Sequence, residues 1–245
     1  MKILVCISHV PDTTSKINFV DNNTKFDTNG VQFIIGPYDD YALARAVELK
    51  ESSGASITVL NVGLADTEPT LRKALAIGAD DAIRVNADPT DSFFVASQIA
   101  EQAKAGGYDL ILMGRESIDY NSGAVHGIVG EMLGMPSVSP VMKLDIEGNT
   151  AKLAREIEGG KEYLEVNLPF VAGCQEPIAE WKIPNMRGIM SARTKPLKVV
   201  EPSTVDSGVK LQKFELPPAK GSVKMIPADN VQELVNLLRN EAKVL

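Results

Sequence analysis

Four short runs of mostly apolar residues constrain this chain more than any other feature: Ile3 to Ile7, Ser56 to Val62, Ala82 to Val85, and Leu110 to Met113. A continuous apolar run is what a strand covered on both faces requires. Segments with helical spacing lie between them. Ala42, Leu43, Ala46, Val47 and Leu49 form one stripe after Pro37, and Leu71, Ala74, Leu75 and Ile77 form a second before Gly78. Phe94, Val95, Ile99 and Ala103 form a third between Asp91 and Ala105. Asp39 and Asp40 fall in the first turn of the first helix, where acidic residues suit the helix dipole. Asp66 or Thr67 is placed to cap the second helix. Gly54, Gly78 and Gly106-Gly107 mark helix ends. Four parallel strands with intervening helices predict an α/β fold built on a doubly wound, mostly parallel sheet. A short hairpin is expected within residues 12 to 34, pairing Lys16–Phe19 with Gly30–Phe33.

The pattern changes after Pro136. Met142–Ile146 and Ala151–Ile157 alternate around a Glu147-Gly148-Asn149 turn. Tyr163–Val166 and Phe170–Cys174 then complete an expected antiparallel set, added to one edge of the sheet. From Gln175 to Ala228 the chain is rich in Pro, Lys and Arg, with an irregular stretch or short helix at Pro184–Met190. Such a tail has too little apolar surface to fold by itself. It ends in an expected helix over Asp229–Ala242, capped at Asp229 with Gln232 at its third position. Val231, Leu234, Val235 and Leu238 form that helix's stripe. A terminal amphipathic helix on an extended arm suggests docking at a distance, on a partner chain.

Several functions are disfavoured. With 25 basic against 32 acidic residues the net charge is −7, and no basic stripe appears, so nucleic acid is not expected as the main partner. No apolar run is long enough for a transmembrane segment. The start, Met1 to Ile7, reads as a buried strand in place of a signal peptide, which fits a cytoplasmic protein. Cys6 and Cys174 fall in different apolar strands and form neither a metal-ligand spacing nor a disulfide framework.

The chemistry centres on Gly114 to Gly127. This polar, glycine-containing loop follows the Leu110 strand and precedes a helix with apolar positions at Val125, Ile128, Val129, Met132 and Leu133. In an open parallel sheet that junction lies at the carboxyl ends of the strands, where nucleotides bind. The N–H groups and positive end of the following helix attract a phosphate. Ser8–Asp12, Gly36-Pro37 and Val62-Gly63-Leu64 would lie at the same end. Together these loops would hold an adenosine with its phosphates, or else their glycines only make tight strand-to-helix turns. Asp119 is placed to bond a ribose hydroxyl or to cap the helix. His9 and His126 would both face the crevice at the strand ends, but neither has an obvious nucleophile or metal set beside it. The dinucleotide fingerprint and the P-loop signature are absent. No catalytic residues are assigned.

Five segments, in order and spacing, carry a family resemblance: Val10-Pro11-Asp12-Thr13; Leu71 to Asp80; Gly114-Arg115-Glu116-Ser117-Ile118-Asp119; Ala154 to Gly160 leading to Leu168-Pro169; and Gly188 to Arg193. The chain resembles the β subunit of electron transfer flavoprotein from Met1 to about Val200. The resemblance implies an adenine-nucleotide α-hydrolase-like sheet with added antiparallel edge strands and an extended C-terminal arm. It divides the chain into a nucleotide-binding α/β domain over 1–183 and a partner-recognition loop and arm over 184–245. It also implies a heterodimer with an α subunit that carries FAD, while this subunit binds AMP or a second FAD. Electrons would pass from an acyl-CoA dehydrogenase or another flavin dehydrogenase toward a quinone-linked acceptor. The subunit would be an electron carrier and no catalyst on its own. By position, the nucleotide site maps onto Cys6, Gly36, Val62, Gly63, Gly114, Arg115, Asp119, Ser122, Gly123, Ala124, Val125 and His126. The partner-recognition loop maps onto Pro184–Met190, with Met186, Ile189 and Met190 as contacts. Gly36 stands where the family usually has Asn, and Tyr120 and His126 fit neither the AMP-type nor the bifurcating-type loop pattern.

Two rival readings remain at this level. One is a stand-alone adenine-nucleotide-binding regulator similar to the universal stress proteins, which the long arm disfavours. The other, an ATP-using enzyme of the adenine-nucleotide α-hydrolase type, needs a Gly-rich loop after the first strand that Ser8–Asp12 lacks.

Overall fold

Each of the four apolar runs becomes a strand of one sheet in the computed structural model, which describes residues 1–206 and 208–245. In chain order the elements begin with β1 (Lys2–Cys6), β2 (His9–Pro11), β3 (Phe19–Val20), β4 (Lys25–Phe26), β5 (Phe33–Ile35) and α1 (Pro37–Ser53). There follow β6 (Ser56–Val62), α2 (Glu68–Ile77), β7 (Asp81–Val85), α3 (Ser92–Gly106), β8 (Leu110–Gly114) and α4 (Val125–Leu133). The rest comprises β9 (Ser137–Glu147), β10 (Thr150–Ile157), β11 (Gly160–Asn167), β12 (Phe170–Cys174), α5 (Met186–Ala192), β13 (Leu197–Val200) and α6 (Val231–Asn240). The chain divides into two units, residues 1–18 with 27–211, and residues 19–26 with 212–245.

The first unit carries a nine-stranded sheet in the order β11-β10-β9-β12-β8-β1-β6-β7-β13. From β9 through β13 every neighbouring pair is parallel, whereas β9, β10 and β11 pair antiparallel. The alternation of side chains along β1 separates two cores. Ile3, Val5 and Ile7 pack with Leu43 and Val47 of α1 and Leu71 and Leu75 of α2. Leu4 and Cys6 pack on the other face with Ala96 and Ile99 of α3 and Val129 of α4. Helices α1 and α2 therefore lie on one face and α3 and α4 on the other, which is the doubly wound arrangement. Gly54 and Gly107 end α1 and α3 in the left-handed conformation, and their N–H groups reach back to Lys50 and Ala103 carbonyls.

The structure corrects several expectations. Phe170–Cys174 is not part of the antiparallel edge: β12 lies inside the sheet, parallel to both β8 and β9. All five of its residues are buried, so it reads as a continuous apolar run like the other parallel strands. The expected hairpin of Lys16–Phe19 with Gly30–Phe33 does not form. Phe19 pairs with Phe26 around a tight turn, while Phe33 pairs with Pro11. Asp21, Asn22 and Asn23 take that turn with positive φ, a conformation these short polar side chains tolerate. The segment after Gln175 contributes structure to the first unit: α5 packs on α2, and β13 extends the sheet beside β7. Thr67 stands at the start of α2 without a side-chain cap, because its hydroxyl bonds the Leu64 carbonyl.

In the second unit, the Phe19 and Phe214 rings stack at 4.7 Å, and the Phe214 N–H bonds the Asn23 carbonyl. Residues 212–230 contain no helix or strand. The cap of α6 is Asn230, not Asp229, and Glu233 completes the reciprocal pair: each side chain bonds the other residue. None of the α6 residues is buried. Among the described residues no helix is long and apolar enough to cross a membrane.

The placement of β12 generates a test. Phe170→Ala removes a fully buried ring from a central strand and is expected to cost about 3–5 kcal/mol in chemical denaturation. Tyr163→Ala, on the exposed face of edge strand β11, is expected to change stability by no more than about 0.5 kcal/mol. Equal costs would contradict this strand order.

Candidate functional site

A doubly wound sheet opens a crevice where strand order reverses. Here β1 has β6 on one side and β8 on the other, so the carboxyl ends of β1 and β8 flank that point. The first turn of α1 supplies what joins them. Asp39 is buried, and its Oδ2 accepts the Ser8 N–H at 2.8 Å and the Ser8 hydroxyl at 2.5 Å. Its Oδ1 accepts the Gly114 N–H at 2.7 Å. One carboxylate thus ties the chain leaving β1 to the chain leaving β8. Burial pushes its pKa up to about 6, opposed by the Ser8 and Gly114 hydrogen bonds.

The neighbouring glycines are explained by this carboxylate. A Cβ on Gly36 would stand 2.3 Å from Ser8 Oγ and 2.5 Å from Asp39 Oδ2. A Cβ on Gly114 would stand 2.7 Å from Asp39 Oδ1 and from Tyr38 Cβ. Gly63 is held similarly: its Cβ would meet Thr67 Cγ2 at 2.4 Å, and its carbonyl accepts from Arg84 at 2.9 Å. These glycines permit close packing of protein on protein. From the sequence Asp39 has only a helix-dipole role and Ser8 only a place in a strand-end loop, and Arg84 has no role at all. The available signal was a second acidic residue beside the first, one more than the exposed face of the helix needs.

The Gly114 loop continues along the same end. The Arg115 N–H bonds the Cys174 carbonyl, which joins the loop to β12. The Arg115 guanidinium lies 4.8 Å from the centre of the Tyr38 ring and bonds Gln175 and Glu116. Gln175 in turn bonds Glu156. Asp119 does not cap α4. It accepts from the Ser117 hydroxyl and the Tyr120 N–H, a local turn that leaves Tyr120 exposed. Asn121 and Gly123 take positive φ, and Ser122 is exposed. At the start of α4, Ala124 offers no side-chain cap. The first-turn N–H groups of Val125, His126 and Gly127 have no partner within the helix. Gly127 is exposed, with open space where a Cβ would lie.

Cys6 and Val62 are buried together on the α3/α4 face. Burial, then the Asp39 charge, raises the Cys6 thiol pKa, so this sulfur is a packing group. The two histidines do not share the crevice. His9 bonds Thr70 of α2 and stacks on Phe33 at 4.4 Å, on one face of the sheet. His126 belongs to α4, on the other face, 3.4 Å from Ser137 Oγ. Burial lowers both pKa values, opposed by Asp66 at His9 and by the Gly123 backbone at His126.

A second surface lies on α5. Met186, Ile189 and Met190 are exposed. Beneath them the helix is pinned to α2: Arg72 donates to the Ala192 and Lys195 carbonyls at 2.9 Å. Lys195 returns bonds to the Leu75 and Ala79 carbonyls. Gly188 approaches so closely that a Cβ would lie 2.2 Å from the Ala76 carbonyl oxygen. A cavity of about 550 Å³ lies between the helices, lined among others by Glu68, Arg72, Lys73 and Ile189.

Comparison with known proteins matches residues 23–205 to the electron transfer flavoprotein domain. Over the full length of both chains, the sequence is 36% identical to the electron transfer flavoprotein subunit beta of Bacillus subtilis. It is likewise 36% identical to the subunit of that name from Syntrophomonas wolfei, covering all of this chain and 98% of that one. The mitochondrial subunit beta of Arabidopsis thaliana is 32% identical over the full length of both.

The buried carboxylate generates a pH prediction. A folded pKa of about 6 against an ordinary 3.8 means the native state holds this proton more tightly. The associated stability is fully present below about pH 4 and is lost as pH rises through about 6. The shift corresponds to roughly 3 kcal/mol. The stability of Asp39→Asn is therefore expected to start below that of the natural chain at pH 4, by the hydrogen bond it lacks, and to draw level with it by pH 7.5 as the natural chain loses this contribution, read by urea denaturation at each pH. A difference that stays constant across this range would contradict the assignment.

Proposed function

The chain belongs to the electron transfer flavoprotein β-subunit family, and on that premise we propose that it works as the nucleotide-holding half of an electron-transferring heterodimer. Its partner is an α subunit carrying FAD, and the chain itself binds AMP or a second FAD. Electrons enter from an acyl-CoA dehydrogenase or another flavin dehydrogenase and leave toward a quinone-linked acceptor. The cytoplasm is the proposed compartment. The observation that carries the nucleotide reading is the start of α4, where an uncapped helix end and open Gly127 adjoin a polar loop at the strand-order reversal.

A bound flavin supplies the one- and two-electron chemistry, whereas AMP supplies none and would be structural. The chain's residues hold and orient. Val125, His126 and Gly127 offer N–H groups to a phosphate, and Ser122, Gly123 and Ala124 shape the approach. Arg115 adds positive charge to the loop, though its guanidinium is shared with Glu116 and Gln175. Cys6, Val62, Gly36, Gly63 and Gly114 form the floor, and the Gly114 N–H is already given to Asp39. Asp119 remains the candidate for a ribose hydroxyl, since its carboxylate is exposed. Met186, Ile189 and Met190 dock the electron donor; flexible, polarizable methionines suit a transient contact. The amphipathic face of α6 docks the α subunit.

Two measurements test this reading. In the complex co-expressed with its α partner, nucleotides released on denaturation are expected at one FAD plus one AMP, or two FAD, per heterodimer. Failure to form a complex, or a complex with no nucleotide in this chain, would overturn it. Gly188→Ala is expected to displace α5 and reduce the rate of electron transfer from the donor dehydrogenase by about tenfold or more, the effect of losing an interface anchor. Nucleotide content should be unchanged. Wild-type transfer rates in this variant would remove α5 from the docking surface.

A further inference from the structure

We infer that Asp39 is a positioning residue for nucleotide binding: it fixes the exits of β1 and β8 in the one arrangement that leaves the nucleotide-holding loops correctly spaced. This rests on the reading that the chain binds a nucleotide there. Three segments remote in sequence converge on the one side chain, namely Ser8, the Gly36–Asp39 turn and Gly114. Two of them carry glycines whose missing Cβ atoms leave the room the carboxylate fills. The charge has no cation in hydrogen-bonding range among the described ion pairs. It is held by two backbone N–H groups, one hydroxyl and the amino end of α1. A fold needing only a filled core would place an apolar side chain here, because a buried carboxylate is costly. What the carboxylate provides instead is direction. It demands N–H groups from both loops at once, and so sets where Arg115 and the rest of the loop to α4 begin.

Asparagine separates this role from bulk packing. It keeps the volume and removes the buried charge. Turned either way, however, its NH2 group faces the N–H of Gly114 or that of Ser8, so one of the two bonds is lost. The lost bond and the relieved charge offset each other in stability, but only the bond bears on loop position. In the α–β heterodimer, Asp39→Asn is expected to keep its thermal midpoint within a few degrees while the nucleotide's dissociation constant rises roughly tenfold or more, the scale of one buried hydrogen bond. The probe is AMP or FAD, whichever the natural complex releases. Gly36→Ala leaves the carboxylate intact but crowds it and Ser8, and is expected to weaken the nucleotide similarly. Should Asp39→Asn not fold, this variant decides.

If Asp39→Asn binds the nucleotide as tightly as the natural protein, the inference is overturned while the nucleotide reading stands. The same holds if affinity falls only in proportion to the thermal midpoint across the variants. A natural heterodimer with no nucleotide in this subunit would overturn both.

Discussion

The carboxylate of Asp39 is the interaction on which the rest of the site depends. A doubly wound sheet brings the carboxyl ends of β1 and β8 side by side but does not fix the loops that leave them. Backbone groups just past a strand end have lost their ladder partners and must find others. Asp39 takes two such N–H groups, from Ser8 beyond β1 and from Gly114 at the last position of β8, and does so from a helix whose own amino end favours its charge. Gly36 and Gly114 follow from it as a steric consequence. The loop from Arg115 to Ala124 then runs from a fixed point to the start of α4.

This arrangement separates the groups that hold the loops from those proposed to bind a ligand. The glycines at Gly36, Gly63 and Gly114 face protein atoms, and the N–H of Gly114 is spent on Asp39. The polar groups open to solvent lie further along, at the exposed turn of Asp119–Ser122, whose hydrogen bonds are local, and at the uncapped first turn of α4. In the proposed reading the chain's role is accordingly one of holding, with Gly36, Gly63 and Gly114 packed beneath and the amino end of α4 beside them, while α5 on α2 shares none of these residues. Arg72 and Lys195 anchor that second surface by capping carbonyls on both sides of the α2–α5 contact.

Much of this was legible from the residues. The continuous apolar runs gave the parallel strands, the helical stripes gave α1 to α3, and the polar loop between Met113 and Val125 does lie between β8 and α4 as expected. The misses share a physical cause. Phe170–Cys174 followed three alternating segments and was grouped with them, although its own unbroken burial matches a central parallel strand. Leu197–Val200 lay among prolines and lysines, where only pairing with β7 makes a strand of it. The role of Asp39 depends on Ser8 and Gly114, 31 and 75 positions away, which no local pattern contains. The separation of His9 and His126 depends on which helix packs on which face, and that is decided by the crossovers of the whole sheet.

Amide hydrogen exchange, compared between nucleotide-loaded and nucleotide-stripped heterodimer, distinguishes the groups that hold the loops from those that hold the nucleotide. Protection on loading is expected to concentrate at Val125, His126 and Gly127 and in the Arg115–Ala124 loop. The amides of Ser8 and Gly114, already bonded to Asp39, should be protected in both states. Protection that appears instead along the α2–α5 cavity, with the first turn of α4 unchanged, would contradict this division of roles.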